Sequence, residues 1–79
     1  MEEIKNILAQ KDITIEKLIE CFDLVKANGD VAAIKFDGER TRNQYTVFIS
    51  FPNKGREIIR SDGEDLRAAL INVLNEYIG

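Results

Sequence analysis

Cys21 is the only thiol in the chain, and no histidine accompanies it. A thiol nucleophile needs a base to activate it, so Cys21 would have to borrow a lysine or a carboxylate. It also falls inside a helical stretch rather than at a helix N-terminus, where its pKa would drop. Its spacing reads as a small residue at the edge of a core. Asp62, Glu64 and Asp65 form the densest group of carboxylates. They lack the calcium-loop pattern of alternating acids closed by a distant Glu. Carboxylates at a helix start are also what the macrodipole favours without any metal. Gly29, Gly38, Gly55 and Gly63 are scattered, without the spacing of a phosphate-cradling loop. No catalytic, cofactor-binding or metal-ligating residues emerge, and the expectation is a protein that is not an enzyme.

Charge and contact remain. Residues 1–30 hold four Lys/Arg against seven Asp/Glu, residues 31–60 six against three, and residues 61–79 one against four. Acidic helices therefore flank a basic middle, a pattern that concerns partners and solubility rather than fold. Arg40 and Arg42 lie in a polar loop that a meander would bring to the same end as Arg60 and the start of the last helix. One reading pairs them with Asp62, Glu64 and Asp65, each exposed pair contributing roughly 0–1 kcal/mol. The other has the arginine loop reach a protein partner, since Arg is enriched at interface hot spots.

The elements that would position these groups are legible. Ile4, Ile7 and Leu8 sit at helical spacing within residues 1–10, a helix too short to stand alone. Thr14 can cap a second helix over 14–28, with Glu16 in its first turn and Asn28-Gly29 as its stop. Ile15, Leu18, Ile19, Phe22 and Val25 make its apolar stripe, with Cys21 at the edge and Leu24 pointing away. Strands are predicted over 31–37, 44–51 and 56–60, the middle one alternating Tyr45, Val47, Ile49 and Phe51 with Thr46, Phe48 and Ser50. Pro52-Asn53-Lys54-Gly55 is a turn. Ser61 and Glu64 read as a capping box opening a helix over 62–78. The fold class is α+β: a three-stranded antiparallel meander with helices before and after it (α-β-β-β-α), preceded by the short N-terminal helix. Residues 1–79 form a single domain.

A chain of 79 residues buries only roughly 60% of its unfolded surface, so shared burial with a partner would help it. Phe48 falls mid-strand on a face of otherwise polar residues, so the expectation is that something covers it. The candidates are the N-terminal helix, a long helix in a three-layer arrangement, or a second copy, with Phe48, Leu24, Ile4, Ile7 and Leu8 as interface residues. No stretch approaches the roughly 18 apolar residues of a membrane span. Met1-Glu2-Glu3-Ile4-Lys5 is not the start of a signal peptide, and a lone Cys builds no disulfide framework. The expectation is a cytoplasmic protein.

The element order matches the double-stranded RNA-binding domain, but Ser61-Asp62-Gly63-Glu64-Asp65 stands where that family carries phosphate-gripping lysines. Direct nucleic-acid binding is therefore not expected. From Ile15 to Ile78, the helix, the short sheet, and Ser61-Asp62-Gly63 leading into Leu66-Arg67-Ala68-Ala69-Leu70 resemble the small phage-encoded αβα sandwich domains. That resemblance implies a mobile-element setting, in the host cytoplasm, with no catalytic residues to carry over. The turn Phe51-Pro52-Asn53-Lys54-Gly55 before a helix is similar to small antitoxins paired with RNA-cleaving toxins. The leading expectation is a non-catalytic inhibitor of a host defence protein that handles nucleic acid. Glu16, Glu20, Asp23, Asp62, Glu64 and Asp65 would occupy its groove, with Arg40, Arg42 and Arg60 anchoring beside it. An immunity or antitoxin protein, or a homo-oligomeric accessory protein, are the alternatives.

Overall fold

The computed structural model describes residues 1–79. Three helices and three strands follow in the order α1 (Glu2–Leu8), α2 (Ile15–Ala27), β1 (Val31–Phe36), β2 (Tyr45–Ser50), β3 (Ile59–Gly63) and α3 (Leu66–Ile78). The strands form one antiparallel sheet in the order β1-β2-β3. The α+β meander expected from the sequence is the fold of the chain. No helix is long and apolar enough to cross a membrane.

Local chemistry explains most of the boundaries. Asp12 takes the left-handed conformation, φ 52°, and separates α1 from α2. Thr14 caps α2, its hydroxyl accepting the Lys17 N–H at 3.2 Å. Gly29 follows the last turn at φ 85°, a conformation that costs a residue with a Cβ. The turn then delivers the chain into β1.

Two expectations are corrected. Ser61, Asp62 and Gly63 do not open the last helix; they are the end of β3, paired with Val47, Thr46 and Tyr45. Residues 56–58 lie outside that strand. The cap of α3 is Asp65, whose carboxylate accepts the Ala68 N–H at 3.2 Å. The strand ladder of β2 claims Ser61, and the helix starts four residues later, at its Asp65 cap. The second correction concerns α2. Its buried line is Leu18, Cys21 and Val25, whereas Ile15 and Ile19 stay 44% and 41% exposed. The helix is turned toward Cys21 because α1 packs along that side, with Ile4 in the core and Ile7, Leu8 and Leu24 half-buried against it.

Strand alternation sorts the sheet into two faces. Ile34, Val47, Ile49 and Ile59 meet Leu70, Val73 and Leu74 of α3 and Leu18 and Val25 of α2 in one core. Each fully buried Leu or Val there contributes about 1.5–3 kcal/mol of burial free energy. Both long helices cover this face, and α1 packs only on α2 and α3. The molecule thus has two layers rather than three, and no element of the chain covers the reverse face of the sheet.

Candidate functional site: the helix-free face of the sheet

The register sets the reverse face in rows. Lys35, Thr46 and Asp62 form one row, Ala33, Phe48 and Arg60 the next, and Val31 and Ser50 the last. Phe48 is half-buried at the centre of the middle strand, between a methyl group and a guanidinium stem. It is the only aromatic side chain in these rows.

Around one end of this face the charges are tied together. Asp62 accepts from the Thr46 hydroxyl, from Arg40 at 3.2 Å and from Arg60 through Nε at 3.0 Å and Nη2 at 3.2 Å. The Arg60 and Thr46 hydrogen bonds, with Arg40 behind them, hold the Asp62 carboxyl far below the usual carboxylate range. Asp62 in turn raises the pKa of Arg60. Arg40 reaches Asp37 at 3.3 Å and the Asn43 carbonyl at 3.2 Å, and Lys35 meets the same Asp37 oxygen at 3.3 Å. The Glu39 backbone N–H and Lys35 lower the Asp37 carboxyl as well. A chain of ion pairs, Lys35–Asp37–Arg40–Asp62–Arg60, therefore runs along the edge of the face. It pre-orders two arginines without freeing either one.

The other expected site residues separate. Arg42 is exposed in the β1–β2 loop and makes no ion pair. Glu20 and Asp23 pair with Lys17 at 3.4 Å and Lys26 at 3.2 Å along α2. Asp65 is committed to the cap of α3, and Glu64 and Glu16 are exposed without a cationic partner. The arginines thus meet Asp62 but not Glu64 or Asp65, and four of the six acids have partners within the chain. Ile4 is buried in the chain's own core and Ile7, Leu8 and Leu24 pack against it. Of the interface residues expected from sequence, Phe48 alone faces outward from the sheet.

A second polar group, unforeseen in the sequence, lies where α2, β1, the turn at 52–55 and the end of α3 converge. The buried Tyr77 hydroxyl donates to Asp30 Oδ2 at 2.7 Å and accepts from Asn28 Nδ2 at 3.0 Å. Asp30 Oδ1 takes no directed hydrogen bond and has the Lys54 ammonium at 2.9 Å. Burial pushes Asp30 upward, but Lys54 and Tyr77 outweigh it, and the net direction is down. Burial and the adjacent Asp30 raise Tyr77. Arg56 lies 4.6 Å from the centre of the Phe51 ring and donates to the Tyr77 and Glu76 carbonyls, closing the C-terminus of α3. These groups satisfy one another and hold the termini of four segments together. Asn28 and Asp30 flanking the α2 stop, with Tyr77 one residue from the end of a helix, were the only signals available.

Cys21 is buried, and burial together with Glu20 raises its pKa, away from the reactive thiolate. No group of three or more His, Cys, Asp or Glu is placed to hold a metal ion. The chain matches no family model, no curated protein and no solved structure.

Proposed function

We propose that the chain is a non-catalytic binding domain that acts by presenting the helix-free face of its sheet to a protein partner. The observation that carries this reading is Phe48. It sits at the centre of the middle strand on a face that no element of the chain covers, beside two arginines already ordered by Asp62. A central aromatic bordered by arginine is the residue pattern of an interface hot spot. Holding Arg40 and Arg60 in place before contact lowers the ordering cost of binding. Arg42, unpaired in the adjoining loop, is available to an acidic group of the partner.

Occlusion by the acidic helices has weaker support, because four of the six acids are engaged within the chain. The resemblance to phage αβα domains adds a class of partner, a host protein that handles nucleic acid, and the contact to it would run through the sheet rather than the helices.

The test is co-purification with three baits: the native chain, Phe48→Glu and Arg42→Glu. Phe48→Glu should lose the partner recovered by the native chain, and Arg42→Glu should release it at lower salt. Both variants should keep the native circular dichroism spectrum. Identical recovery by all three baits would remove this face from consideration.

A further inference from the structure

A different surface of the molecule, the outer edge of β1, is open. β1 is an edge strand, and outside its ladder with β2 no backbone hydrogen bond of the chain reaches residues 31–36. Its sequence, Val31-Ala32-Ala33-Ile34-Lys35-Phe36, has no Pro, no Gly and one charge. Edges of that kind are templates for pairing with another strand. Beside it, Ile19 and Phe22 of α2 form a cleft of about 340 Å³ with Val31 and Ala32, bordered by Asp23, Lys26 and Asp30. At the other end of the same strand, Phe36 projects on the helix side with 67% of its surface exposed, the largest exposure of any large apolar residue in the chain. An apolar knob and an apolar hole thus lie at opposite ends of one unpaired edge.

We infer that β1 pairs antiparallel with β1 of a second copy about a two-fold axis at Ile34, and that Phe36 of each copy enters the cleft of the other. The register follows from the faces. Antiparallel partners share a face of the sheet, so the helix-side residues must oppose one another. Centring the axis on Ile34 sets Phe36 opposite Ala32 of the second copy, at the wall of the cleft. It also sets Lys35 opposite Ala33, so no two lysines face each other across the axis.

The helices agree with that centre. α2 runs antiparallel to β1, and a strand advances about 3.3 Å per residue against about 1.5 Å in a helix. Ile19 and Phe22 both line the cleft beside Val31 and Ala32, and the helical turn between them, about 4.5 Å, spans little more than one strand residue, so Ile19 lies within about one residue of the axis. The two-fold then brings the α2 helices side by side on the same face of a six-stranded sheet, with the exposed Ile19 of each close to the contact. The antiparallel arrangement sets the first turn of one α2, with Glu16, toward the last turn of the other, with Lys26, so the charges at the two ends of the contact are complementary. An unrelated strand could cover the edge, but a second copy brings both a knob and a hole to it.

Light scattering coupled to size exclusion tests the arrangement. The native chain is expected at twice its 9.0 kDa mass. Phe36→Ser and Ile19→Lys alter side chains that are already exposed in the single chain, so each should keep the native circular dichroism spectrum. Both should run at the single-chain mass, with self-affinity lowered roughly a hundredfold or more. Phe48→Lys, on the reverse face, should leave the double mass unchanged, so failure of the proposed partner-binding face and failure of this interface are separable. A native chain of single mass at roughly millimolar concentration would overturn the inference. So would a dimer that survives both substitutions, or one that Phe48→Lys alone dissociates.

Discussion

β1 and β3 bound the same sheet, yet their exposed edges are opposite in character. β3 places Arg60 and Asp62 two residues apart on the open face, pairs them with each other and with Arg40, and ends on Gly63. β1 offers four consecutive apolar residues, from Val31 to Ile34, before its single lysine. Charges on an edge strand deter another chain from adding to it, and a run of apolar residues does not. Each edge also has an aspartate whose carboxyl is held below its ordinary range, and the two are held by different means. Asp30, just before β1, is nearly sealed from water and fixed by Tyr77 and Lys54. Asp62, within β3, has a third of its side chain exposed and is fixed by arginines at the surface. One edge is therefore anchored from inside and left open outside. The other is guarded from outside.

The largest expected effect comes from erasing that difference. Arg60→Thr combined with Asp62→Val would turn β3 into a second uncharged edge. With adhesive strands at both ends of the sheet, association no longer closes at two copies and becomes open-ended. Sedimentation velocity should show a broad distribution of large species in place of one boundary. A single unchanged boundary would mean that these charges do not guard the edge.

Next in size is the loss of the internal anchor. Asp30→Ala strips the Tyr77 hydroxyl of its acceptor and leaves Lys54, half-exposed, to turn toward water. The expected loss is about 2 kcal/mol in urea unfolding, the scale of a buried hydrogen bond to a charged group. Asp62→Ala on the guarded edge should lose clearly less, because its partners remain solvated. Equal losses at the two sites would contradict the contrast between them. Tyr77→Phe falls between these, at about 1 kcal/mol. It removes two hydrogen bonds but keeps the ring stacked on Phe51 at 5.8 Å, and Asp30 retains Lys54.

This asymmetry was only half visible in the residues. Strand order, the Thr14 cap and the outward position of Phe48 follow from alternation and spacing within a few residues, and the structure has all three. The meeting of Arg40, Arg60 and Asp62 follows once a meander is assumed. The end of β3 did not, because Ser61 and Glu64 carry the spacing of a helix start. Only the pairing of Thr46 with Asp62 across the sheet keeps these residues in the strand. Nor did the exposure of Ile19. Two apolar stripes overlap on α2, and the one that turns inward is set by α1, whose docking no periodicity of α2 encodes. Tyr77 and Asp30, far apart in the chain, meet through tertiary packing alone.

The smallest effect separates the two aspartates by salt and pH. Each carboxyl lies below its unfolded value of about 3.9, so each contributes stability that is fully present above that pH and is lost as the pH falls below it. Replacing either by Asn should therefore flatten the acid limb of stability against pH below about 4. At about 1 M salt the screening length shrinks to about 3 Å. That reaches the surface pairs of Asp62 with Arg40 and Arg60 but not the enclosed contact of Asp30 with Tyr77 and Lys54. The difference between the native chain and Asp62→Asn should then shrink toward zero in high salt. The difference from Asp30→Asn should persist. If salt erased both differences, water would reach Asp30 as freely as it reaches Asp62, and the β1 edge would have no sealed anchor beneath it.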